Sequence, residues 1–337
     1  MTEPSARRAS ARALANVALV KYFGKRDPRL NLPAAGSLSV ALEPLETITT
    51  VELDPALAAD QVRVATAPAD AAFAGRVSRF LDLVRELAGI RDAARVETRN
   101  SFPTAAGLAS SASGFAALAA AASSAAGLEL DPLALSALAR RGSGSAARSV
   151  PGGIAVWRAG RETDGSDSVA RRIAEPADWD LRIAVGISSR SPKPIGSGEA
   201  MELTRRSSPY YGAWIESAGR DLDEAIAAVE SRDLERLGEI TERSALAMHA
   251  AALAARPGIA LLGGAALEAL RAVRELRSSG AALWFTCDAG PQPKVLCTPG
   301  SEDLAVELLA AIHDVEEVIR CRPGGGVELL EDDGRGE

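Results

Sequence analysis

Apolar residues run almost unbroken over 13–23 and return over 37–54 (SLSVALEPLETITTVELD), a pattern that predicts one strand and then two strands joined around Pro44. The period changes after Asp70. Phe73, Val77, Phe80, Leu81, Val84 and Leu87 recur at helical spacing, and 94–98 goes back to a strand pattern before Pro103. An Ala-rich segment over 109–126 and a shorter one over 131–141 predict two helices, and 153–158 and 181–187 predict strands around a polar hairpin at 160–170. Beyond a Gly/Pro/Ser-rich stretch at 188–198, three helical segments follow at 211–231, 233–254 and 261–278. Strands at 282–287, 293–297 and 316–321 close the pattern, with a helix between the last two. Strands and helices mixed without strict βαβ alternation argue for an α+β architecture, with a cleft between lobes over 1–187 and 188–337. Residues 1–11 and the acidic tail ELLEDDGRGE read as frayed or solvated ends.

Composition narrows the possible partners. The 337 residues are 47% hydrophobic but only 4% aromatic, so Ala, Leu and Val carry the core and few stacking platforms remain for bases. A formal charge of −7, from 38 basic and 45 acidic residues, offers no global attraction for nucleic acid. The longest apolar stretch, 115–122, falls short of the roughly 18 residues of a membrane span, and Lys21 interrupts the N-terminal apolar run without a cleavage site. The expectation is a cytoplasmic protein without membrane contact. Cys287, Cys297 and Cys321 are odd in number and lack CxxC spacing, and only His249 and His313 could join them, so neither a disulfide framework nor a structural zinc site is expected. No GxxxxGK[ST], HExxH, GxSxG or EF-hand pattern occurs, and neither histidine lies in a nucleophile-triad signature.

Four segments carry candidate chemistry. In PTAAGLASSASG (103–114), Pro103 ends a strand, Gly107 permits a tight turn, and Ser110 and Ser111 open the Ala-rich helix; helix N–H groups and hydroxyls there suit a phosphate or Mg²⁺, while simple serine capping is the plainer alternative. GSGSAARS (142–149) follows Arg140 and Arg141. Its GxGxxA match lacks a preceding strand, but Ser143 and Ser145 can donate to phosphate oxygens and the Arg148 fork suits a carboxylate, unless Arg148 is merely a solvated loop residue. In ANVALVKYFGKRD (15–27), Lys21 and Lys25 can face one cleft, or Lys21 can guard a strand edge. Asp288 ends the apolar strand ALWFTC, where it either forms a turn or, raised by burial toward the range of a general base, abstracts a proton.

Jointly these segments resemble the mevalonate diphosphate decarboxylase family, a branch of the galactose, homoserine, mevalonate and phosphomevalonate kinase superfamily. The resemblance rests on ANVALVKYFGKRD and the following LNLPAAGSLSVAL, NSFPTAAGLASSASGFAAL, ARRGSGSAARSVPGG and FTCDAGPQPKVL, and covers most of the chain. It implies a two-lobed fold, with an N-terminal ribosomal-protein-S5-like lobe, a C-terminal ferredoxin-like lobe and the active site in the cleft. It also implies a homodimer that uses ATP and Mg²⁺ to phosphorylate the tertiary hydroxyl of 5-diphosphomevalonate; loss of that phosphate and of CO₂ then leaves isopentenyl diphosphate. By resemblance Asp288 is the base, Arg148 holds the substrate carboxylate, Lys21 lies near the reacting groups, and Ser111 lies near the triphosphate. Asn100, Pro103, Thr104, Ala105, Gly107, Leu108 and Ser110 would complete the ATP phosphate loop. Tyr22, Phe23, Gly24, Lys25, Arg76, Ser143, Gly144, Ser145, Ala146, Ala147, Ser197 and Gly198 would surround the substrate. Two positions depart from the family pattern: Phe23 stands where Trp is common, and Ser197 is followed by Gly198 instead of Thr or Arg. The second departure keeps open a phosphomevalonate decarboxylase. A mevalonate 3-kinase that stops at phosphorylation is the further alternative.

Overall fold

Two long antiparallel strands, β1 (Arg7–Val20) and β4 (Ser37–Asp54), organise the N-terminal half, with a small ribbon of β2 (Lys25–Asp27) and β3 (Leu32–Pro33) between them in sequence. The computed structural model describes residues 7–102, 110–189 and 195–331. β4 is one strand where two were expected. Pro44 does not end it, because the β1 register slips there: Leu14 pairs with Glu46 but Asn16 pairs with Ala41, and the irregularity absorbs the missing N–H. Residues 7–11, expected to fray, are the start of β1 and pair with β4, and from Ser10 onward also with residues 328–330; Arg12 reaches Glu46 at 3.1 Å and Glu328 at 3.2 Å.

The chain continues through β5 (Gln61–Val64), β6 (Ala67–Pro68), α1 (Ala71–Ala88), β7 (Ala93–Asn100), α2 (Ser110–Ala125), α3 (Pro132–Gly142), the short α4 (Ala146–Ser149), β8 (Ile154–Trp157), β9 (Ala170–Ala174) and β10 (Arg182–Ile187). Then follow α5 (Ser197–Ser207), α6 (Tyr211–Glu230), α7 (Leu234–Leu253), α8 (Gly264–Ser278), β11 (Leu283–Thr286), β12 (Lys294–Cys297), α9 (Glu302–Ala310), β13 (Glu317–Pro323) and β14 (Glu328–Leu330). The pattern does not show α5, α4, β14, β9 or the short strands β2, β3, β5 and β6. Each is too short, or too polar outside the positions it buries, to show a period; α5 buries only Ala200, Met201 and Thr204. β14, in the tail read as solvated, pairs with Ser10–Arg12 of β1.

Among the described residues the sheet has twelve strands, with a spine in the order β11-β12-β10-β13-β4-β7-β5-β6 and with β1, β8, β9 and β14 attached. β13 pairs with β4 at Leu42 and Glu43, so the two halves share one sheet. β10 lies on the N-terminal side of residue 188, yet its partners β12 and β13 are C-terminal. The Ala-rich α2 is buried around nearly its whole circumference, as small side chains permit, and packs with Phe80, Val84, Val96 and Leu138 in one core. A second core joins β1, β4 and β10 to α6 and α7; a third lies under α8 and α9.

Candidate active site

β1 and β11 both end at the same place, and each delivers a charged residue there from an apolar run. Lys21 follows β1 at 1% exposure; its Nζ donates to Asp288 Oδ1 at 2.8 Å and to the Ala18 carbonyl at 2.6 Å. Asp288 follows β11, and its second oxygen, Oδ2, meets Lys294 Nζ at 3.2 Å from the first residue of β12. Burial by itself would raise the Asp288 carboxyl, but the ammonium groups of Lys21 and then Lys294 override it and hold it well below the usual carboxylate range. The expectation of a raised, base-like carboxyl is thereby corrected: apolar flanks in sequence did not disclose the two cations. Lys21 in turn is lowered by burial, against the pull of Asp288.

Helix α7 braces both ends of this pair. Ser244 Oγ accepts from the Lys21 backbone N–H at 3.0 Å, and His249 Nε2 lies 3.2 Å from the carbonyl of Cys287 beside Asp288. Burial first, and the neighbouring Lys21, lower His249 to about 4 despite that carbonyl contact, so its ring is neutral. No triad forms.

Arg148 is no solvated loop residue. The turn after α3 winds directly into α4, where Arg148 is 3% exposed; Nη1 donates to Ser37 Oγ at 2.7 Å and Nη2 to Asn16 Oδ1 at 3.3 Å. The guanidinium lies 5.8 Å from the Tyr22 ring centroid and 5.7 Å from that of Trp157. Burial lowers it to about 10, opposed by Asp288, so it stays cationic at neutral pH. Its Nε is buried and has no hydrogen-bond partner among the described residues. The Tyr22 hydroxyl is also buried and unpartnered.

These groups open on a cavity of about 810 Å³. Lys21, Tyr22, Lys25, Arg76, Ser111, Ser143, Gly144, Ser145, Arg148, Ser197, Gly198 and Asp288 all line it, so most of the expected residues meet there. Ser143 Oγ lies 3.3 Å from both Ser111 Oγ and Ser145 Oγ, joining the start of α2 to the Gly/Ser turn. Lys25 Nζ is held 2.6 Å from Asn31 Oδ1, and Arg76 lies over the Phe115 ring at 5.1 Å. Gly144 is required by a close approach: a Cβ there would stand 2.4 Å from the Tyr22 hydroxyl. Gly24 has φ of 137° and backs onto the Tyr211 hydroxyl.

Several expected residues stand outside the lining. Phe23 is buried edge-on against Trp214 at 6.3 Å, a packing role. Ala146 and Ala147 are buried within α4, and Asn100 accepts from Thr47 Oγ1 at 2.6 Å. Ser110 begins α2 beside Ser111. Pro103, Thr104, Ala105, Gly107 and Leu108 lie outside the described residues. The structure adds Lys294, Asn16, Arg29, Arg79 and Arg141 to the site. Lys294 had one legible signal, a lysine inside the apolar run after Asp288; the others are ordinary surface types until the fold gathers them.

Charge is the main property of the cavity. Among the described residues Lys21, Lys25, Arg29, Arg76, Arg79, Arg141 and Arg148 line it against the one carboxylate of Asp288, in a chain whose net charge is −7. Such a pocket, with Lys21 and Arg148 buried at its base and the other cations more open to solvent, selects a ligand with several negative charges.

Residues 13–170 match the diphosphomevalonate decarboxylase-like N-terminal domain, and residues 183–324 match the mevalonate 5-diphosphate decarboxylase C-terminal domain. The diphosphomevalonate decarboxylase mvd1 of Aspergillus fumigatus is 36% identical over 324 residues, covering 90% of this chain and 80% of the relative. Among solved structures, mevalonate diphosphate decarboxylase from Staphylococcus aureus superposes with a TM-score of 0.91 at 37% identity, covering 97% of this chain and 98% of that one. MDDEF in complex with MVAPP, AMPPCP and magnesium gives 0.90 at 37% identity, covering 97% and 99%. Two domain matches in order along the chain, and a relative that similar over most of both lengths, place this chain in the diphosphomevalonate decarboxylase family.

Proposed function

We propose that this chain catalyses the ATP-dependent decarboxylation of 5-diphosphomevalonate to isopentenyl diphosphate, releasing ADP, phosphate and CO₂. The observation that carries the reading is the cavity's excess of cations around one ionised carboxylate, which suits a substrate bearing a carboxylate at one end and a diphosphate at the other. Arg148 takes the substrate carboxylate, its buried Nε–H being unpartnered among the described residues. Lys25, Arg76, Ser143, Ser145 and the Tyr22 hydroxyl take the diphosphate. Asp288 and Lys21 address the 3-hydroxyl.

Asp288 held this far down is a weak base. Its part is to orient the hydroxyl and accept the proton late, as the oxygen bonds to the γ-phosphorus and the bond to ADP breaks; a loose phosphoryl-transfer transition state places little demand on early deprotonation. The C3–O bond then breaks with loss of the new phosphate, the C1–C2 bond breaks with loss of CO₂, and that electron pair forms the C2–C3 double bond. Lys21 and Arg148 stabilise the departing phosphate and hold the carboxylate in line.

ATP fits the remaining features. Its phosphates would lie at the start of α2, near Ser111, with Ser143 close by. No group of three His, Cys, Asp or Glu suited to a metal is found among the described residues, so Mg²⁺ would be held through phosphate oxygens and water, with Ser111, Ser143 and Ser145 as protein donors. When bound it neutralises triphosphate charge. A cytoplasmic homodimer belongs to the same proposal; no helix among the described residues is long and apolar enough to cross a membrane.

The test supplies MgATP with 5-diphosphomevalonate or 5-phosphomevalonate and follows ADP and CO₂ together. Equal release of both products from the diphosphate substantiates the reading. CO₂ from the monophosphate alone moves the substrate to one phosphate, and ADP without CO₂ makes the protein a kinase.

A further inference from the structure

We propose that Lys294 is a positioning residue for this reaction, fixing the rotamer of Asp288 from outside the cavity: its ammonium holds Oδ2 at 3.2 Å while Lys21 holds Oδ1 at 2.8 Å. The inference rests on the decarboxylase reading for what Asp288 does, but not for how it is held. Lys294 is 2% exposed, opens β12 among Val295, Leu296 and Cys297, and is not among the residues that line the cavity.

The cost of placing it there is the reason to look for a use. Among the described residues its one ion-pair partner is Asp288, which is already paired with Lys21, and its remaining contact is the Gln292 carbonyl at 3.4 Å. Arg148 is also near enough to act on Asp288 electrostatically, and its own hydrogen bonds go to Ser37 and Asn16 and not to an acid. Three buried cations thus share one carboxylate. An ammonium without a full counter-charge is expensive to bury, and an apolar side chain of the same length would suit the β12 interior better. What Lys294 adds is constraint. A carboxylate tied by one oxygen alone can rotate about its terminal bond, whereas one tied by both presents fixed lone pairs to the hydroxyl.

It also adds charge. The titratable groups that face Asp288 are Lys21 from the end of β1, Lys294 from β12, Arg148 from α4, His249 from α7, and Cys287 preceding it in the chain. His249 is neutral at physiological pH, so the three cations set the balance. Removing one of them lets the Asp288 carboxyl rise toward the ordinary carboxylate range.

The experiment compares the parent chain with Lys294→Met and Lys294→Arg. Lys294→Met is expected to lower kcat about 10- to 100-fold with KM for 5-diphosphomevalonate within about threefold, because a misplaced catalytic group loses rate more than binding. Its thermal midpoint at neutral pH is expected to equal or exceed the parent's, since a surplus buried cation is gone, and Lys294→Arg is expected to recover part of kcat. Infrared difference spectra against Asp288→Asn, titrated downward from pH 7, are expected to show the Asp288 carboxyl protonating at higher pH in Lys294→Met than in the parent. Unchanged kcat overturns the proposal. A loss of kcat matched by a lowered midpoint and no recovery in Lys294→Arg also overturns it, because that pattern describes packing alone. If Lys294→Met does not fold, Lys294→Gln, which removes the charge and keeps a polar side chain, takes its place. The infrared titration needs no turnover: a parent that fails to release CO₂ defeats the functional reading, whereas an unmoved Asp288 titration defeats the assignment to Lys294.

Discussion

Arg148→Lys keeps a positive charge and removes the plane on which the site is built. The side chain is 3% exposed, so water cannot replace what is lost. The lost contacts are donation from Nη1 to Ser37 at 2.7 Å and from Nη2 to Asn16 at 3.3 Å, and the two ring contacts with Tyr22 and Trp157. A lysine ammonium can recover one of the two hydrogen bonds. Leaving one buried partner unpaired costs about 1–3 kcal/mol, and the weakened ring contacts add ~1 kcal/mol, for a loss of about 2–4 kcal/mol. With an unfolding entropy near 2.1 cal/mol/K per residue, that loss lowers the thermal midpoint by about 3–6 °C over a chain of this length. For catalysis the missing quantity is a charge-assisted fork to the substrate carboxylate, about 1.5–3 kcal/mol, or roughly 10- to 150-fold in kcat/KM. The assay pairs thermal unfolding with ADP and CO₂ release from 5-diphosphomevalonate. A pH series adds a sign: burial disfavours the charged form of an ammonium at position 148, so the variant's activity relative to the parent is expected to fall as pH rises. Activity within twofold of the parent, at a lowered midpoint, would refute the carboxylate role and leave Arg148 purely structural.

Three further outcomes are expected. Asp288→Asn leaves Lys21, Lys294 and Arg148 without a carboxylate; kcat should fall about 10²- to 10⁴-fold with nucleotide binding retained, and parent-like turnover would refute the assignment. Because Asp288 is depressed in the folded chain, its contribution to stability is present above the unfolded carboxyl pKa near 3.9 and is lost below it, so the variant's stability deficit should shrink on acidification. His249, lowered to about 4, stays neutral when folded but takes up a proton near 6.5 when unfolded; stability should therefore fall as pH drops from about 6.5 to 4. His249→Gln should flatten that slope, and an unchanged slope in denaturant titrations would count against a buried neutral ring. Gly144→Ala puts a Cβ 2.4 Å from the Tyr22 hydroxyl, so KM for the diphosphate substrate should rise severalfold with KM for ATP little changed; an equal rise in both would show a wider collapse of the turn.

The sequence by itself determined the elements whose side chains repeat: the long strand β1, the amphipathic α1, the Ala-rich α2 and the three helices from α6 to α8, since periodic burial leaves a local record. It also marked Lys21, Arg148 and Asp288, charged residues set at the ends of apolar runs or beside Gly/Ser turns. It did not mark the continuity of β4 through Pro44, which depends on a register slip in β1, or β10's placement among C-terminal strands. Nor did it disclose the ionisation of Asp288. That state is fixed by Lys21, 267 positions away in sequence, and by Lys294 across a turn, at distances of 2.8 and 3.2 Å. Periodicity records which face of an element is buried; only the tertiary structure decides which charges are buried together, because the Coulomb interaction depends on separation in space and on the exclusion of water.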